Sequence, residues 1–549
     1  MHGGVPPHPR CPQSCPLVTM VPTMTNPLNE TFRQLIERRA ATNGSDTFLM
    51  FGDDVITFAD LKERIDRAAA GLKNSGIQPG DRIGLMLPTV PDHIYLFFAL
   101  AWIGAVTLPI SVHLKAMGIR TQLNSARPRM IIADAGFTEL SDAVAEDGNV
   151  EKILWRGSGH PTGDARFVSL DKALADGGDI PEVAAGGLDR TCMISYTSGT
   201  TGEPKGAVLT EKWFQIGAKN AGLLAEVRPG DVLFLWEPFY HVAGWMTVLM
   251  SLQHGVPSGM VERFSASQCW NQIRKFGATQ LHYLGGAMNL LLKQPERPDD
   301  ADNPVRIAWG AAAPTQSWQA FENRFGLTIR EGYGITEAGN FTTLSHDGPV
   351  GSIGKAVDEF EVFIAGEDGK QLPDGEVGEL VMRPKMPGIT MKEYFGKPDK
   401  TAEVLRDGCV FSGDLGYRDA SGYFYFSGRK KDALRRRGEN VSAWEVERVI
   451  NAHPAVEESA VIGVASQMGE QDIKAFIRAA PEQTVDPAQI YDWCQKHLAY
   501  YQLPRFIEIV EDFPRGPTQR IRKTELPATA EAGWDADLER PKDKGKTRA

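Results

Sequence analysis

The chain has 549 residues, more than a single hydrophobic core normally serves, so two to four lobes are expected. Its 42% hydrophobic and 23% charged residues are in the range of a globular protein. A net charge of −11 excludes a general basic surplus and argues against nucleic acid as a partner, whereas local basic runs in an acidic chain suit an anionic small ligand.

Residues 1–28 read as a disordered tail. They are rich in proline and lack an uninterrupted apolar run, so they do not read as a secretory signal, and Met20 and Met24 are alternative starts. Cys11 and Cys15 supply too few ligands for a metal site. Cys192, Cys269, Cys409 and Cys494 lie far apart in apolar or mixed surroundings, as reduced core thiols do.

Residues 29–430 alternate between helical and strand patterns. ITFADLKERIDRAAAGLKNSG carries apolar residues at helical spacing and ends at glycine. DRIGLMLP, RMIIADA, TCMISYTS and VRIAWGAA are short apolar runs bounded by Gly, Pro or Asp, as buried strands are. IYLFFALAWIGAVTLPISV, residues 94–112, is nearly long enough to cross a bilayer. Gly104 and Pro109 divide it into a short helix and a β-rich tail, so a cytoplasmic location without stable membrane insertion is expected. The alternation predicts an α/β fold, a large N-terminal lobe of several subdomains with mixed or parallel sheets flanked by helices. Residues 431–529 change texture: WEVERVINAHPAVEESAVIGVAS predicts helix, turn and strand, KAFIRAA a strand, and IYDWCQKHLAYYQLP a helix. A small α+β lobe therefore closes the chain, joined at SGRKKDALRRRGEN, residues 427–440, and residues 530–549 form a charged disordered tail.

SYTSGTTGEPKGAVLT, residues 195–210, carries the strongest chemical signal. A buried strand runs into a stretch holding Thr197, Ser198, Gly199, Thr200, Thr201, Gly202 and Lys205. Small residues let backbone N–H groups approach an anion, and the hydroxyls and the lysine add donors, so this is a phosphate loop. It is not a Walker A loop, because Lys205 is followed by Gly206 rather than Ser or Thr.

YTSGTTGEPKG resembles the signature loop of the adenylate-forming, AMP-binding superfamily, which includes acyl-CoA synthetases and the adenylation domains of peptide synthetases. Further stretches resemble its other motifs in order: WGAAAP (309–314), EGYGITEAG (331–339), FSGDLGYRD (411–419, with Ser412 for threonine) and SGRKKDALRRRGEN. The resemblance spans residues 30–530. It implies that Thr197, Ser198, Thr200, Thr201 and Lys205 hold the β- and γ-phosphates of ATP. Glu337 would ligate Mg2+, and Thr336 would touch the α-phosphate. Tyr333 would stack on adenine against Gly310, Ala311 and Ala312, with Glu331, Gly332, Gly334 and Ile335 in the same nucleotide-binding motif. Asp414 would accept both ribose hydroxyls, and Arg429 would reach the ribose. Gly438, Glu439 and Asn440 complete the nucleotide set, Lys431 is the hinge of a mobile small lobe, and Arg435, Arg436 and Arg437 offer charge to coenzyme A phosphates or form a solvated basic face.

His241 in EPFYHVAGW falls near the expected acyl site and CoA tunnel, the other reading being a capping or packing histidine. Trp245 is expected in the acyl pocket or in plain core, and Gly285 and Gly286 at the pocket floor or mouth. In FPRGPTQRIRKTEL, residues 513–526, the superfamily's catalytic lysine position is occupied by Arg520, while Lys523 stays in register. Arg520 would bridge the attacking carboxylate and the α-phosphate, although its planar guanidinium is bulkier than an ammonium. The implied reaction activates a small carboxylic acid with ATP and passes the acyl group to coenzyme A. Delivery to a separate carrier protein is the alternative; a non-catalytic nucleotide or acyl-ligand sensor is another. The PTQR-type terminal motif resembles crotonobetaine/carnitine-CoA ligases, and Trp236, Tyr240 and Trp245 could cage a quaternary ammonium or face a flat aryl or small aliphatic acid. Monomer and homodimer both remain open.

Overall fold

The computed structural model describes residues 30–539 apart from 138, 145–148, 159–162, 176, 183, 198–204, 431–432, 437–438, 467–470, 499, 501, 516–520 and 530–532. The expected α/β architecture is present as two large sheets. One has seven strands, Phe167–Ser169, Lys152–Arg156, Met130–Asp134, Arg82–Met86, Val106–Pro109, Thr191–Thr197 and Lys205–Thr210 in spatial order, parallel except for the last pair. The other has nine strands, among them the adjacent parallel set Leu233–Leu235, Gln280–Leu284, Ile307–Ala311 and Thr328–Tyr333. A single apolar cluster draws residues from both sheets and from helices Pro91–Ile103, Glu211–Leu224 and Val242–His254, which places those helices between the sheets.

Local chemistry accounts for the element boundaries. The helix Phe58–Asn74 opens at a capping box, where Thr57 Oγ1 accepts the Asp60 N–H and Asp60 accepts the Thr57 N–H. Ile56 and Thr57, which the helical pattern appeared to include, instead close strand Asp54–Thr57. Residues 94–112 divide at Gly104, whose φ of +88° ends helix Pro91–Ile103 before strand Val106–Pro109. Among the described residues no helix is long and apolar enough to cross a membrane. The thiols of Cys192, Cys269, Cys409 and Cys494 are free and buried, as expected.

The αβ alternation does not continue to residue 430. From Phe360 the chain builds an antiparallel sheet in which Phe360–Ala365, Gly378–Pro384, Cys409–Arg418 and Phe424–Arg429 pair in succession. The physical reason is turn chemistry: Asp368-Gly369 and Asp374-Gly375 supply left-handed turn positions between the first two strands, and Asp407-Gly408 turns the chain into the third after the short helix Pro398–Val404. The small lobe has its own core around Val446, Ile450, Ile473, Ile477, Ile490 and Ile507. Its sheet carries Val456–Ala465, Gln471–Ala479, Phe506–Ile509 and Trp534–Asp535, with helices Ala443–Asn451 and Pro487–His497.

Candidate active site

The carboxyl ends of the nine-stranded sheet's parallel strands converge on one edge, the usual place for a ligand in such a sheet. Three backbones approach closely there. A Cβ on Gly310 would lie 2.0 Å from Tyr283 O, one on Gly285 2.0 Å from Ala312 O, and one on Gly334 1.1 Å from Asn340 O. A side chain at any of them would force the strand ends apart. Gly286 has open space where its Cβ would be.

Glu331 holds this edge together. Its Oε1 accepts the Ala312 N–H at 2.6 Å, and its Oε2 accepts the Ala313 N–H at 3.1 Å. These bonds fix Ala312 at φ +64°, a conformation non-glycine residues seldom adopt. The Tyr283 hydroxyl lies 2.5 Å from Glu331 Oε2 and also donates to Arg330 O at 3.1 Å. Burial pushes the Glu331 carboxyl up to about 8, against the opposing pull of its three hydrogen-bond partners. A protonated Glu331 can donate to Tyr283 O, which passes the bond on to Arg330 O. Because the folded-state value is raised, the stabilisation is complete below the ordinary glutamate range and is lost as pH rises toward about 8. We therefore expect Glu331→Gln, neutral at every pH, to flatten the dependence of Tm on pH between about 5 and 8 relative to the parent, as calorimetry would record.

Asp414 lies on strand Cys409–Arg418 directly opposite Arg429. It is buried and accepts the Tyr333 hydroxyl on Oδ2 at 2.8 Å, while Arg429 Nε stands 3.2 Å from Oδ1. Burial, followed by the charge of Asp414, holds the Tyr333 hydroxyl well above its ordinary range, so it stays protonated and donates. Ser412 Oγ accepts the Asp414 N–H at 3.0 Å and donates to Leu380 O at 2.6 Å, a turn function that a serine hydroxyl performs. Glu379 accepts the Gly413 N–H at 2.9 Å on Oε1 and pairs with Lys430 Nζ at 3.0 Å through Oε2, tying the Asp414 turn to the segment leaving the sheet.

A second group forms where strand Lys205–Thr210 meets residues 392–395. Ala207 bridges Tyr394, and the Lys205 ammonium lies 4.5 Å from the centre of the Tyr394 ring. The Tyr394 hydroxyl donates to Glu337 Oε1, and the Glu337 carbonyl accepts the Met391 N–H at 3.1 Å. Lys205 and Glu337 are thus joined through one aromatic side chain. Thr336 is fixed beside them, its carbonyl accepting Trp213 Nε1–H at 2.9 Å. Thr197 pairs with Lys205 across the hairpin. Ser198, Gly199, Thr200, Thr201 and Gly202 lie outside the described residues, as do Lys431, Arg437, Gly438 and Arg520. Glu439 and Asn440 are on strand Glu439–Ser442, opposite Arg436 and Arg435.

Other expected residues take different places. Trp245 is fully buried in the main core, donating Nε1–H to Phe239 O at 2.9 Å and packing 4.0 Å from Phe97. Trp236 packs on Phe264, and Tyr240 on His113, so these three aromatics occupy three separate surroundings. His241 caps helix Val242–His254, its Nδ1 accepting the Ala243 N–H at 3.3 Å. Arg436 does not belong to a solvated basic face: it is buried, pairs with Asp472 at 3.3 Å and donates to Leu503 O. Lys523 pairs with Glu447 at 2.7 Å.

Tyr394, Glu379 and Tyr283 escaped the sequence reading. Each acts through partners distant in the chain and carries no local spacing pattern. Tyr394→Phe removes the hydroxyl on Glu337 while keeping the ring under Lys205. If Glu337 serves as the expected Mg2+ ligand, this change should lower turnover about tenfold with little change in Tm, as loss of a supporting hydrogen bond to a metal ligand does; steady-state kinetics at saturating Mg2+ checks this.

Comparison with known proteins matches this arrangement. The profile of the AMP-binding enzyme family covers residues 36–395, and that of the AMP-binding enzyme C-terminal domain covers residues 445–520. A crotonobetaine/carnitine–CoA ligase of Salmonella paratyphi B is 30% identical over 513 residues, covering 90% of this chain and 99% of that protein. The anthranilate CoA ligase AuaEII, solved with anthranoyl-AMP, superposes with a TM-score of 0.81 at 26% identity, over 92% of this chain and 97% of its own. The o-succinylbenzoate CoA synthetase of Bacillus subtilis, solved with its acyl-adenylate intermediate, shares the fold with a TM-score of 0.80 at 23% identity, over 91% and 98%. With ordered motifs, converging strand ends and a profile match across most of its length, the chain belongs to the AMP-binding enzyme family.

Proposed function

We propose that the protein is an ATP-dependent acyl-CoA ligase that activates a small carboxylic acid as its acyl-adenylate and then forms a CoA thioester, in the cytoplasm. The observation that carries this reading is the buried Asp414 carboxylate shared by Tyr333 and Arg429 at the ends of the converging strands. An ionised carboxylate there can accept both ribose hydroxyls of a nucleotide. On this reading Tyr333 and the Gly310–Ala312 segment flank the adenine, and Lys205 and Glu337, joined through Tyr394, serve the phosphate side.

In the first half, a carboxylate oxygen of the acid forms a bond to the α-phosphorus of ATP and the bond to pyrophosphate breaks. Two anions must meet, so Lys205, Arg520 and the phosphate-loop donors offset their repulsion. Glu337 suits Mg2+: it is a hard oxygen ligand whose Oε1 accepts the Tyr394 hydroxyl, and together with phosphate oxygens it would hold the ion, which would neutralise their charge. In the second half, the thiol sulfur of CoA bonds to the acyl carbon, its proton leaves, and AMP departs with the former carboxylate oxygen. His241, at its helix cap, and Gly286, with open space where a Cβ would be, are the residues assigned to the acyl and thiol side on this reading.

Pyrophosphate release should require both ATP and a carboxylic acid, and CoA alone should serve as acceptor. Release with no acyl-CoA product would favour loading of a carrier protein, and ATP binding with no release for any acid would favour a sensor.

A further inference from the structure

A buried acid–imidazole pair lies at the same strand edge and has no part in nucleotide chemistry. Glu237 follows strand Leu233–Leu235, and His282 sits in the adjacent strand Gln280–Leu284. Their side chains are 2% and 4% exposed. Glu237 Oε1 bonds His282 Nδ1, and its Oε2 accepts the Trp236 N–H at 3.4 Å. Trp236 Nε1 in turn donates to His282 O at 2.8 Å. The imidazole lies 4.4 Å from the Trp309 ring and is near-parallel to that of Trp236 at 6.4 Å.

Three features separate this pair from ordinary core. Among the described residues no lysine or arginine pairs with Glu237, so His282 is its one ionisable partner. With Glu237 accepting the Nδ1–H, the neutral imidazole presents Nε2 as an acceptor, and among the described residues no hydrogen bond to Nε2 is found. Finally, His282 stands in register with Trp309, which leads directly into Gly310–Ala312, and lies three residues before Gly285. An acceptor held rigid between aromatic rings, unfilled, and beside the proposed acyl-adenylate position is a recognition group.

We propose that Glu237 and His282 form the specificity-determining pair of the acyl site, selecting a carboxylic acid whose acyl group offers a hydrogen-bond donor, a hydroxyl or a protonated amine, to His282 Nε2. The inference rests on the ligase reading above. A site built around such an acceptor rejects the alkyl analogue, because that analogue leaves the acceptor unpaired. A trimethylammonium group carries charge but no donor, so it separates hydrogen bonding from charge recognition.

The test is a matched series of short acids carrying hydroxyl, amine, methyl or trimethylammonium groups at successive positions. Pyrophosphate release gives kcat/KM for the parent, His282→Phe and Glu237→Gln, with ATP-induced thermal shifts reporting folding. In the parent, a donor-bearing acid should exceed its methyl isostere by about tenfold or more. That ratio should collapse toward unity in His282→Phe, which keeps the aromatic packing, and fall about threefold or more in the near-isosteric Glu237→Gln, which removes the charge fixing the imidazole proton. A preference for methyl or trimethylammonium acids in the parent, or a ratio that survives in both variants, overturns the inference and leaves the ligase reading standing. Absence of release with every acid, while ATP still raises Tm, overturns the ligase reading itself.

Discussion

Asp414→Ala is expected to lower kcat/KM for ATP by roughly two to four orders of magnitude, since two hydrogen bonds to a charged acceptor are worth about 1.5–3 kcal/mol each. The structure adds a second consequence. Tyr333 donates its buried hydroxyl to Asp414, and Arg429 faces the same carboxylate, so truncation takes the acceptor from a buried hydroxyl and a partner from a part-exposed guanidinium. An unsatisfied buried hydroxyl costs about 1–3 kcal/mol, which should appear as a lowered Tm. Tyr333→Phe should recover part of that stability without restoring ATP use, since the phenyl ring has nothing left to satisfy. Asp414→Asn, which keeps an acceptor but no charge, should fall between parent and alanine. ATP kinetics and thermal unfolding of the three single variants and the Asp414→Ala/Tyr333→Phe double variant check this; an Asp414→Ala enzyme with parental kcat/KM would remove Asp414 from the nucleotide site.

Arg520→Ala is expected to slow acyl-adenylate formation by about 100- to 1000-fold, the usual loss when one positioned electrostatic group is removed from a transition state. Thioester formation from supplied acyl-AMP should stay near the parental rate, because the repulsion between two anions that Arg520 is proposed to offset is confined to the first half. Lys523 is a poor substitute: it is held by Glu447 at 2.7 Å within the small lobe. Arg520→Lys should keep much of the adenylation rate, with any shortfall measuring what the bidentate guanidinium adds. Rapid-quench measurement of each half-reaction is the check. Equal losses in both halves would contradict the assignment, and no loss in either would move the role to another cation.

What could be read along the chain was what is local. The phosphate-loop strand and the Gly104 break depend on neighbouring residues and lie where the sequence puts them, whereas the helix expected over 490–504 runs from Pro487 to His497. Asp414 and Arg429 were assigned separately by motif, yet they are register partners across one hairpin. What failed was whatever depends on burial or on distant pairing. Trp245 looks the same in sequence whether it lines a pocket or fills a core, and only packing against Phe97 and Phe239 distinguishes them. Arg436 sits in a run of three arginines that reads as one basic surface, but strand alternation turns it inward to Asp472. Tyr394 reaches Glu337 because its segment pairs with strand Lys205–Thr210, a contact no spacing rule reveals. The antiparallel sheet after Phe360 was hidden because its strands are as apolar as those of a parallel sheet, and only its Asp-Gly turns betray it.

The most direct measurement follows the substrate's own oxygen. With a carboxylic acid labelled in both carboxyl oxygens with a heavy isotope, ATP and CoA, one labelled oxygen should appear in AMP and one in the acyl-CoA carbonyl, with none in pyrophosphate. That pattern requires the carboxylate to attack the α-phosphorus and the thiol to attack the acyl carbon. Label in phosphate or pyrophosphate, or acyl-CoA formed with unlabelled AMP, would contradict an acyl-adenylate route.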